Sequence, residues 1–236
     1  MSDSYDSGRQ VVACQASRCR VVLFLWPGLL LLLLGFAGQV KAEWTGVAFD
    51  IYDTRSDWEF SEGTRETKIS GINLLIEERT ASGLSVGASL GYMTIRIDGN
   101  DTVETKKFDG ENLEIYLRQD LSISESLALE FLFNYGFYAG DENTSSDDRD
   151  DINWNQLGLE FGASFQRANF RFTPFVSYTD IDGDISGDDP TETFTLADEI
   201  GYGVRLDFFT ESTAFIRVEL LTGSYDGGYL SFVRRY

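Results

Sequence analysis

The stretch Asp180–Asp189, DIDGDISGDD, carries the side chains best suited to chemistry in this sequence. Oxygen-bearing residues alternate along it, at Asp180, Asp182, Asp184, Ser186 and Asp188. Hard cations such as calcium take several oxygen ligands from such a spacing, and glycines between them let the backbone turn. The stretch is not an EF-hand loop, because the twelfth position counted from Asp180 is a threonine. Two interpretations stay open: a calcium site on these five residues, or an acidic loop that remains solvated.

The absence of histidine removes a large fraction of enzyme mechanisms. Histidine is the commonest general base, and a nucleophile here would need another group to activate it. The carboxylates Asp147, Asp148, Asp150 and Asp151 could work as an aspartic dyad only if the pKa of one were raised. On exposed loops, like charges stay solvated instead. We therefore expect no enzyme activity, no catalytic residues and no cofactor other than the candidate calcium ion.

The charge balance is strongly acidic, with 39 acidic against 19 basic residues and a net charge of −20. Nucleic-acid binding requires basic patches that neutralise phosphates, so nucleic acid is not an expected partner. Such an excess of carboxylates favours the binding of divalent cations and the repulsion of anions. The loops around Asp141–Asp151 and Asp180–Asp189 hold much of this excess.

The first 42 residues resemble a targeting segment. Arg18 and Arg20 precede the apolar run at 21–37, and Val40 and Ala42 are small residues at the −3 and −1 positions of a cleavage site. We expect a signal peptide at 1–42, cleaved after Ala42, and one mature domain at 43–236. An uncleaved membrane anchor is the alternative. Both cysteines lie in the leader, so the mature domain has no disulfide.

Apolar residues alternate along the mature chain with the period of a β-strand. In LALEFLFNYGFYAGD, every odd position from Leu127 to Phe137 is large and apolar. The same pattern predicts ten strands, at 45–52, 68–78, 84–95, 112–119, 127–138, 154–166, 170–179, 200–209, 214–222 and 228–236. No segment shows sustained helical periodicity, so the predicted fold is all-β.

The opposite parity of these strands carries glycine and charged residues. Glycine weakens a solvated strand but relieves crowding inside a narrow closed barrel. Charged side chains buried there must pair, since isolated buried charges are very costly. We therefore predict a charge network in the lumen, formed by Glu77, Glu114, Arg118, Glu130, Glu160, Arg171, Arg205, Asp207, Arg217 and Glu219.

The connections between strands alternate in length. Short links are predicted at 80–83, 124–126, 167–169 and 210–213, and long polar loops at 53–66, 97–110, 139–153 and 180–192. Short turns at one end and long loops at the other are typical of transmembrane β-barrels. An up-and-down antiparallel barrel of about ten strands follows, with eight as the alternative if an end segment does not pair.

The last strand, YLSFVRRY, places Leu230, Phe232 and the terminal Tyr236 in one parity, and aromatic residues cluster near strand ends. An exported chain with these features resembles the small bacterial outer-membrane β-barrels. It is similar to OmpA-like and OmpX-like proteins in its loop pattern and to the omptin proteases in strand number. Omptins depend on a histidine, so their activity does not carry over. Arg234 departs from the resemblance, because that position usually prefers an apolar residue.

The resemblance implies several properties of the chain. Phe232 and Tyr236 would form the signal read by the barrel-assembly machinery, and the partners would be outer-membrane lipid and lipopolysaccharide. The protein would be a monomer in the bacterial outer membrane, with its long loops extracellular. The expected function is non-enzymatic, a structural or binding role through acidic loops. The alternatives are a narrow channel for small solutes or ions, and a soluble periplasmic barrel that binds a ligand.

Overall fold

The computed structural model describes residues 42–99, 104–144, 149–187 and 190–236. The predicted signal peptide and its anchor alternative therefore lie outside the described residues. The strands are β1 (Ala42–Phe60), β2 (Gly63–Thr80), β3 (Leu84–Ile97), β4 (Lys106–Ser124), β5 (Leu127–Glu142), β6 (Asp151–Arg167), β7 (Phe170–Ser186), β8 (Glu192–Leu196), β9 (Ile200–Glu211), β10 (Ala214–Gly223) and β11 (Asp226–Arg235). No helix in the described residues is long and apolar enough to cross a membrane.

Ten of these strands close into an antiparallel barrel. The order around the wall is β1 to β7, then β9, β10 and β11, and β11 pairs back with β1. Phe49 lies opposite Phe232 at that seam, and Val218 lies opposite Leu230 between β10 and β11. Closure pairs every strand edge, which a structure in lipid requires. The predicted up-and-down barrel of ten strands is confirmed, and the alternative of eight is wrong for the closed wall.

The apolar parity of the ten-stranded wall faces outward. Phe131 and Phe161 are 43% and 44% exposed, whereas Glu130 on the neighbouring position is 6% exposed. Leu74, Leu90 and many other large apolar side chains are exposed in the same way around the wall. A continuous apolar outer belt is the lipid-facing surface of a transmembrane barrel. The alternative of a soluble barrel with this parity inside is therefore wrong.

The strands differ in length, and the difference divides the molecule into two tiers. β9, β10 and β11 have 12, 10 and 10 residues, close to what a tilted strand needs to cross a bilayer. β1, β2 and β4 have 19, 18 and 19 residues and continue well beyond the belt. We call the ten-stranded part the membrane tier and the part beyond it the upper tier.

The strand β8 closes the upper tier, where β9 to β11 are absent. Its residues pair with the end of β7, Thr195 opposite Asp182, and with the end of β1, Phe194 opposite Phe60. The upper tier is thus a ring of β1 to β8 above a ring of ten strands. The sequence analysis did not predict β8, which begins where the predicted loop 180–192 ends and precedes the predicted strand 200–209.

The predicted long loops at 53–66 and 180–192 are mostly strand, and nearly half of 97–110 and of 139–153 is strand, which corrects the loop prediction. The stretch 53–66 is a hairpin of β1 and β2 that turns at Gly63, whose φ is +117°. At the other three sites the strands also extend, leaving connections at 98–105, 143–150 and 187–191. The reason is a change of phase in the alternation: above the belt the apolar residues move to the inner parity, as in the run of Met93, Ile95 and Ile97 on β3.

The upper tier is therefore built like a soluble protein, with an apolar core and a polar surface that faces solvent. Its buried apolar core includes Trp58, Ile95, Phe108, Trp154, Ile181 and Phe194. The Trp58 ring stacks on Phe194 with centroids 4.4 Å apart, and Tyr138 stacks on Trp154 at 4.5 Å. The membrane tier has the opposite arrangement, since its apolar residues face out and its polar residues face in.

Candidate functional site: the filled lumen and the outer face of the upper tier

The ten charged residues predicted for the lumen all lie on the inner face of the membrane tier, and Arg205 is the centre of the largest group. Its guanidinium donates hydrogen bonds to Glu219 at 2.7 Å, to Glu160 at 2.8 Å and to Glu130 at 3.2 Å. These four residues come from β5, β6, β9 and β10, so the cluster joins strands on different sides of the wall. Only 4% of the Arg205 side chain is exposed. A planar guanidinium with five donors is well suited to hold several carboxylates at once.

Two smaller groups hold most of the remaining charged residues. Arg217 donates to both oxygens of Asp207, at 2.7 and 3.1 Å, and Arg171 lies 3.8 Å from the same carboxylate. On the opposite wall Arg118 lies 3.6 Å from Glu77, which also accepts a hydrogen bond of 2.8 Å from the Tyr116 hydroxyl. Gly87 faces Tyr116 so closely that an added Cβ would lie 2.2 Å from its ring. This contact is the crowding that an inward glycine relieves.

Aromatic and amide side chains form a layer between the charged clusters and the dry core. Glu114, the last of the ten, accepts a hydrogen bond of 2.6 Å from the Tyr138 hydroxyl. Tyr52 stacks on Tyr229 with centroids 5.3 Å apart, and its hydroxyl accepts a bond from Asn112. This layer and the Trp58–Phe194 stack above it place side chains from several strands across the lumen. Barrels near eight strands are filled in the same way.

The sequence analysis missed several lumenal polar residues near the short-turn end. Asp50 and Arg235 are among them, and together with the predicted Arg118 they line a cavity of about 60 Å³. Each of the three has a buried polar atom without a hydrogen-bond partner among the described residues. A polar cavity of this size suits a few ordered waters rather than a solute. Arg79 also pairs with Asp120 on the inner parity. The alternation of the sequence contains a signal for these residues. Each has the same inward parity as a predicted lumenal charge on its own strand or on the neighbouring strand.

The outer face of the upper tier carries the acidic residues that the sequence analysis placed on loops. Asp180, Asp182 and Asp184 lie on alternate positions of β7 and face outward, and Ser186 ends the strand. Successive outward residues of a strand are about 7 Å apart along it. The neighbouring strand adds Asn155 opposite Asp182 and Asn153 opposite Asp184.

The candidate calcium ligands are thus in a row rather than in a loop that folds around an ion. Among the described residues no group of three or more acidic side chains lies close enough to hold a metal ion. Asp188, the fifth candidate ligand, lies outside the described residues, as do Asp147 and Asp148 of the neighbouring acidic stretch. Calcium binding therefore stays a prediction from sequence.

The predicted assembly signal lies at the seam of the barrel. Phe232 faces outward in the lipid-facing belt, and Tyr236 is exposed just past the end of β11. The backbone N–H of Tyr236 donates to the carbonyl of Thr45, and the Tyr236 carbonyl accepts from the Thr45 N–H. The last residue is therefore hydrogen-bonded to the first strand, where the wall closes.

The comparisons with known proteins find similarity in architecture alone. No family model matches the sequence, and no curated protein matches it. Among solved structures, the outer-membrane protease OmpT from Escherichia coli aligns at 10% identity over 84% of this chain and 95% of its own, with a TM-score of 0.47. The translocator domain of the autotransporter NalP from Neisseria meningitidis aligns at 14% identity over 92% and 98%, with a TM-score of 0.46.

A third solved structure, Neisserial surface protein A, aligns at 9% identity over 80% of this chain and 96% of its own, with a TM-score of 0.41. These proteins have different functions by their names, and the TM-scores are low. The similarities therefore give no function to this chain. The architecture, an even-numbered antiparallel barrel with an apolar outer belt, short turns at one end and tall strands at the other, is that of a bacterial outer-membrane β-barrel.

Proposed function

We propose that this protein is a non-conducting outer-membrane barrel that presents a rigid acidic surface to the outside of the cell. The observation that supports this most is the filled interior. A path along the axis meets the Arg205 cluster, then the tyrosine layer, and then the dry core of the upper tier. Each layer brings together side chains from different sides of the wall, which argues against a continuous passage for water.

The outer face of the upper tier is the surface that this role requires. On β5, β6 and β7 its charged residues are all acidic, namely Asp141, Asp151, Asp180, Asp182 and Asp184. Asparagine and threonine side chains lie between them, at Asn153, Asn155, Thr193 and Thr195. Because the surface is built on paired strands, it is held in a fixed shape, which lowers the entropy lost when a partner binds. Barrels of this class have their long connections outside the cell, which supports an extracellular position for this tier.

The role is one of binding or structure rather than of catalysis. The chain has no histidine, and the six carboxylates of the predicted lumenal network are engaged by arginine or tyrosine. Divalent cations could bridge the acidic face to lipopolysaccharide, as the sequence predicts. The narrow channel is the alternative function, and it would require the Trp58–Phe194 stack to move out of the lumen.

Planar-bilayer recording separates the two functions. We expect the folded protein, inserted at known density, to give no stepwise conductance over a range of voltages, because the interior is filled. A porin added to the same bilayer serves as the control that insertion and recording work. Reproducible conductance steps from the purified protein, with a defined ion selectivity, would replace the proposed function with the channel.

A further inference from the structure

A groove and a row of basic side chains lie next to each other on the outer surface of the barrel. The groove runs across the upper edge of the belt on β10, β11, β1, β2 and β3 and has a volume of about 620 Å³. Its walls are mainly apolar, with Ile51, Ile72 and Tyr92 on one side and Val218, Leu220 and Leu230 on the other. Gly71 and Gly228 are also part of the lining. The groove is therefore an open, apolar surface that faces lipid, and its lining suits an acyl chain.

The basic row lies directly above the groove, on the first strands of the upper tier. Arg55 is opposite Lys68, Lys68 is opposite Arg96, and Arg96 is opposite Lys107. All four side chains are exposed, and they are all of the basic residues on the outward face of the described strands above the belt. Like charges directly opposite each other destabilise a sheet unless something neutralises them.

The neutralisation within the chain is incomplete. Lys68 lies 3.1 Å from Asp53, and Arg96 lies 2.7 Å from Asp98. For Arg55 and Lys107 the described residues supply no ion pair. Carboxylates flank the basic row on both sides, with Asp57 and Glu66 in the row above it and Asp53 and Asp109 in the row below it, so the surface does not attract free anions by net charge. An anion would bind here only if something else held it in place.

The height of the row matches the headgroup region of a bilayer. Arg55, Lys68 and Arg96 are each four residues along the strand from Ile51, Ile72 and Tyr92 in the groove. Four residues span about 13 Å along a strand, or about 10 Å along the membrane normal at the usual tilt. Arginine and lysine side chains are long enough to reach down from there to a phosphate at the membrane surface.

We propose that the groove and the basic row together bind a phosphorylated lipid of the surrounding leaflet. An acyl chain lies along the groove, and a phosphate of the headgroup contacts Arg55, Lys68 and Arg96. The acyl chain holds the phosphate at a high effective concentration beside the row, which overcomes the nearby carboxylates. The same phosphate offsets the repulsion between the three basic side chains.

Native mass spectrometry of the folded full-length protein in a neutral detergent tests this proposal. The protein is titrated with lipid A, with lipid A from which the phosphates have been removed, and with inorganic phosphate. The variant Arg55→Gln/Lys68→Gln/Arg96→Gln removes the three basic side chains of the row that the proposal places on the phosphate. Arg167→Gln is the matched control, since Arg167 is an exposed basic residue at the short-turn end of β6. A shift in gel mobility on heating confirms that each variant is folded.

We expect lipid A to bind the wild type and Arg167→Gln alike, and to bind the triple variant at least about tenfold more weakly, since basic residues near a membrane surface each add to the attraction. The dephosphorylated lipid should bind the wild type as weakly as lipid A binds the triple variant, and inorganic phosphate should form no stable adduct. Equal binding of lipid A by the wild type and the triple variant would overturn the proposal. Binding of inorganic phosphate as tightly as lipid A would also overturn it, because the groove would then have no part in recognition.

Discussion

At the scale of single residues, the molecule depends on charges that are satisfied by partners from distant strands. Arg205 alone joins Glu130, Glu160 and Glu219. Such a cluster contributes little more to the stability of the fold than an apolar core of the same volume. Removing one member, however, leaves the others buried and unpaired. The consequence is a strong asymmetry: loss of the single arginine should cost far more than loss of any exposed arginine.

We predict that Arg205→Ala destabilises the folded barrel by about 3–5 kcal/mol, because three carboxylates lose their cation. Arg205→Lys should fall between this variant and the wild type, since it keeps the charge but loses the planar fork. The measurement is urea unfolding in lipid vesicles, followed by gel mobility without boiling. The control Arg167→Ala should change stability by no more than about 0.5 kcal/mol. Equal midpoints for Arg205→Ala and the control would contradict the central role of this cluster.

The lumenal residues also show how much of the candidate site can be predicted from the sequence. The ten predicted lumenal charges were found by parity alone, because a strand turns every second residue to the same face. Parity does not say which charges meet, so the three carboxylates around Arg205 could not be assigned to it. That requires the register and the diameter of the closed wall. Asp50 is not among the predicted charges, because the pattern on its strand identifies the outward apolar residues, such as Phe49, and not the residues between them.

At the scale of elements, the alternation was enough to predict ten strands and their order but not how far they run. In the predicted strand at 84–95 the apolar parity runs from Leu84 to Tyr92 and then changes to the other parity at Met93 and Ile95. The switch occurs because the solvent outside the barrel changes from lipid to water, so the apolar residues move inside. A change of phase within one strand therefore locates the membrane boundary.

The strand β8 escaped prediction because five residues are too few to establish a period, and their pairing partners are remote. Phe194 packs on Trp58, which is more than 130 residues away along the chain. Intrinsic preference is weaker than such tertiary contacts in deciding whether a short segment is a strand. The acidic residues before β8 predict a loop by their charge, but the alternate residues Ile181 and Ile185 are buried in the upper tier and make the segment a strand.

We predict that Phe194→Ala releases β8 from the upper tier while the membrane tier remains folded. Loss of a buried phenylalanine costs about 3–5 kcal/mol, and a five-residue strand has few other contacts to compensate. Hydrogen exchange should become faster at β8 and at the ends of β1 and β7, and the Trp58 fluorescence should shift to longer wavelength. Thr195→Ala, on the outward face of the same strand, is the control and should leave both measurements unchanged. Protection of β8 that survives in Phe194→Ala would show that the stack does not hold it.

At the scale of the whole molecule, the strands β1 to β7 run through both tiers, although the two tiers have their polar and apolar faces on opposite sides. The membrane tier is stabilised by lipid outside and ion pairs inside, and the upper tier by an apolar core inside and water outside. This arrangement fixes the depth of the barrel in the bilayer. A shift of the barrel along the membrane normal would expose apolar residues to water or charged residues to lipid. The tall end and the short-turn end must then lie on opposite sides of the membrane.

We predict that the upper tier is accessible from outside the cell. If the leader is removed, the mature chain has no cysteine, so a single cysteine can be introduced without background. Asp57→Cys lies on the exposed outer face of β1 in the upper tier, and Arg167→Cys lies at the short-turn end. A maleimide that does not cross membranes should label Asp57→Cys on intact cells, and should label Arg167→Cys only after lysis. The reverse pattern would invert the proposed orientation.

The continuation of the strands beyond the belt also determines which antibodies can bind the folded protein. An antibody raised against a linear peptide from 53–66 would meet side chains such as Trp58 and Arg65, which the native hairpin turns inward. Antibodies that recognise living cells should instead require an intact fold, since their epitope is every second residue of several neighbouring strands. Immunisation with the boiled protein should therefore yield sera that stain blots but leave whole bacteria unbound.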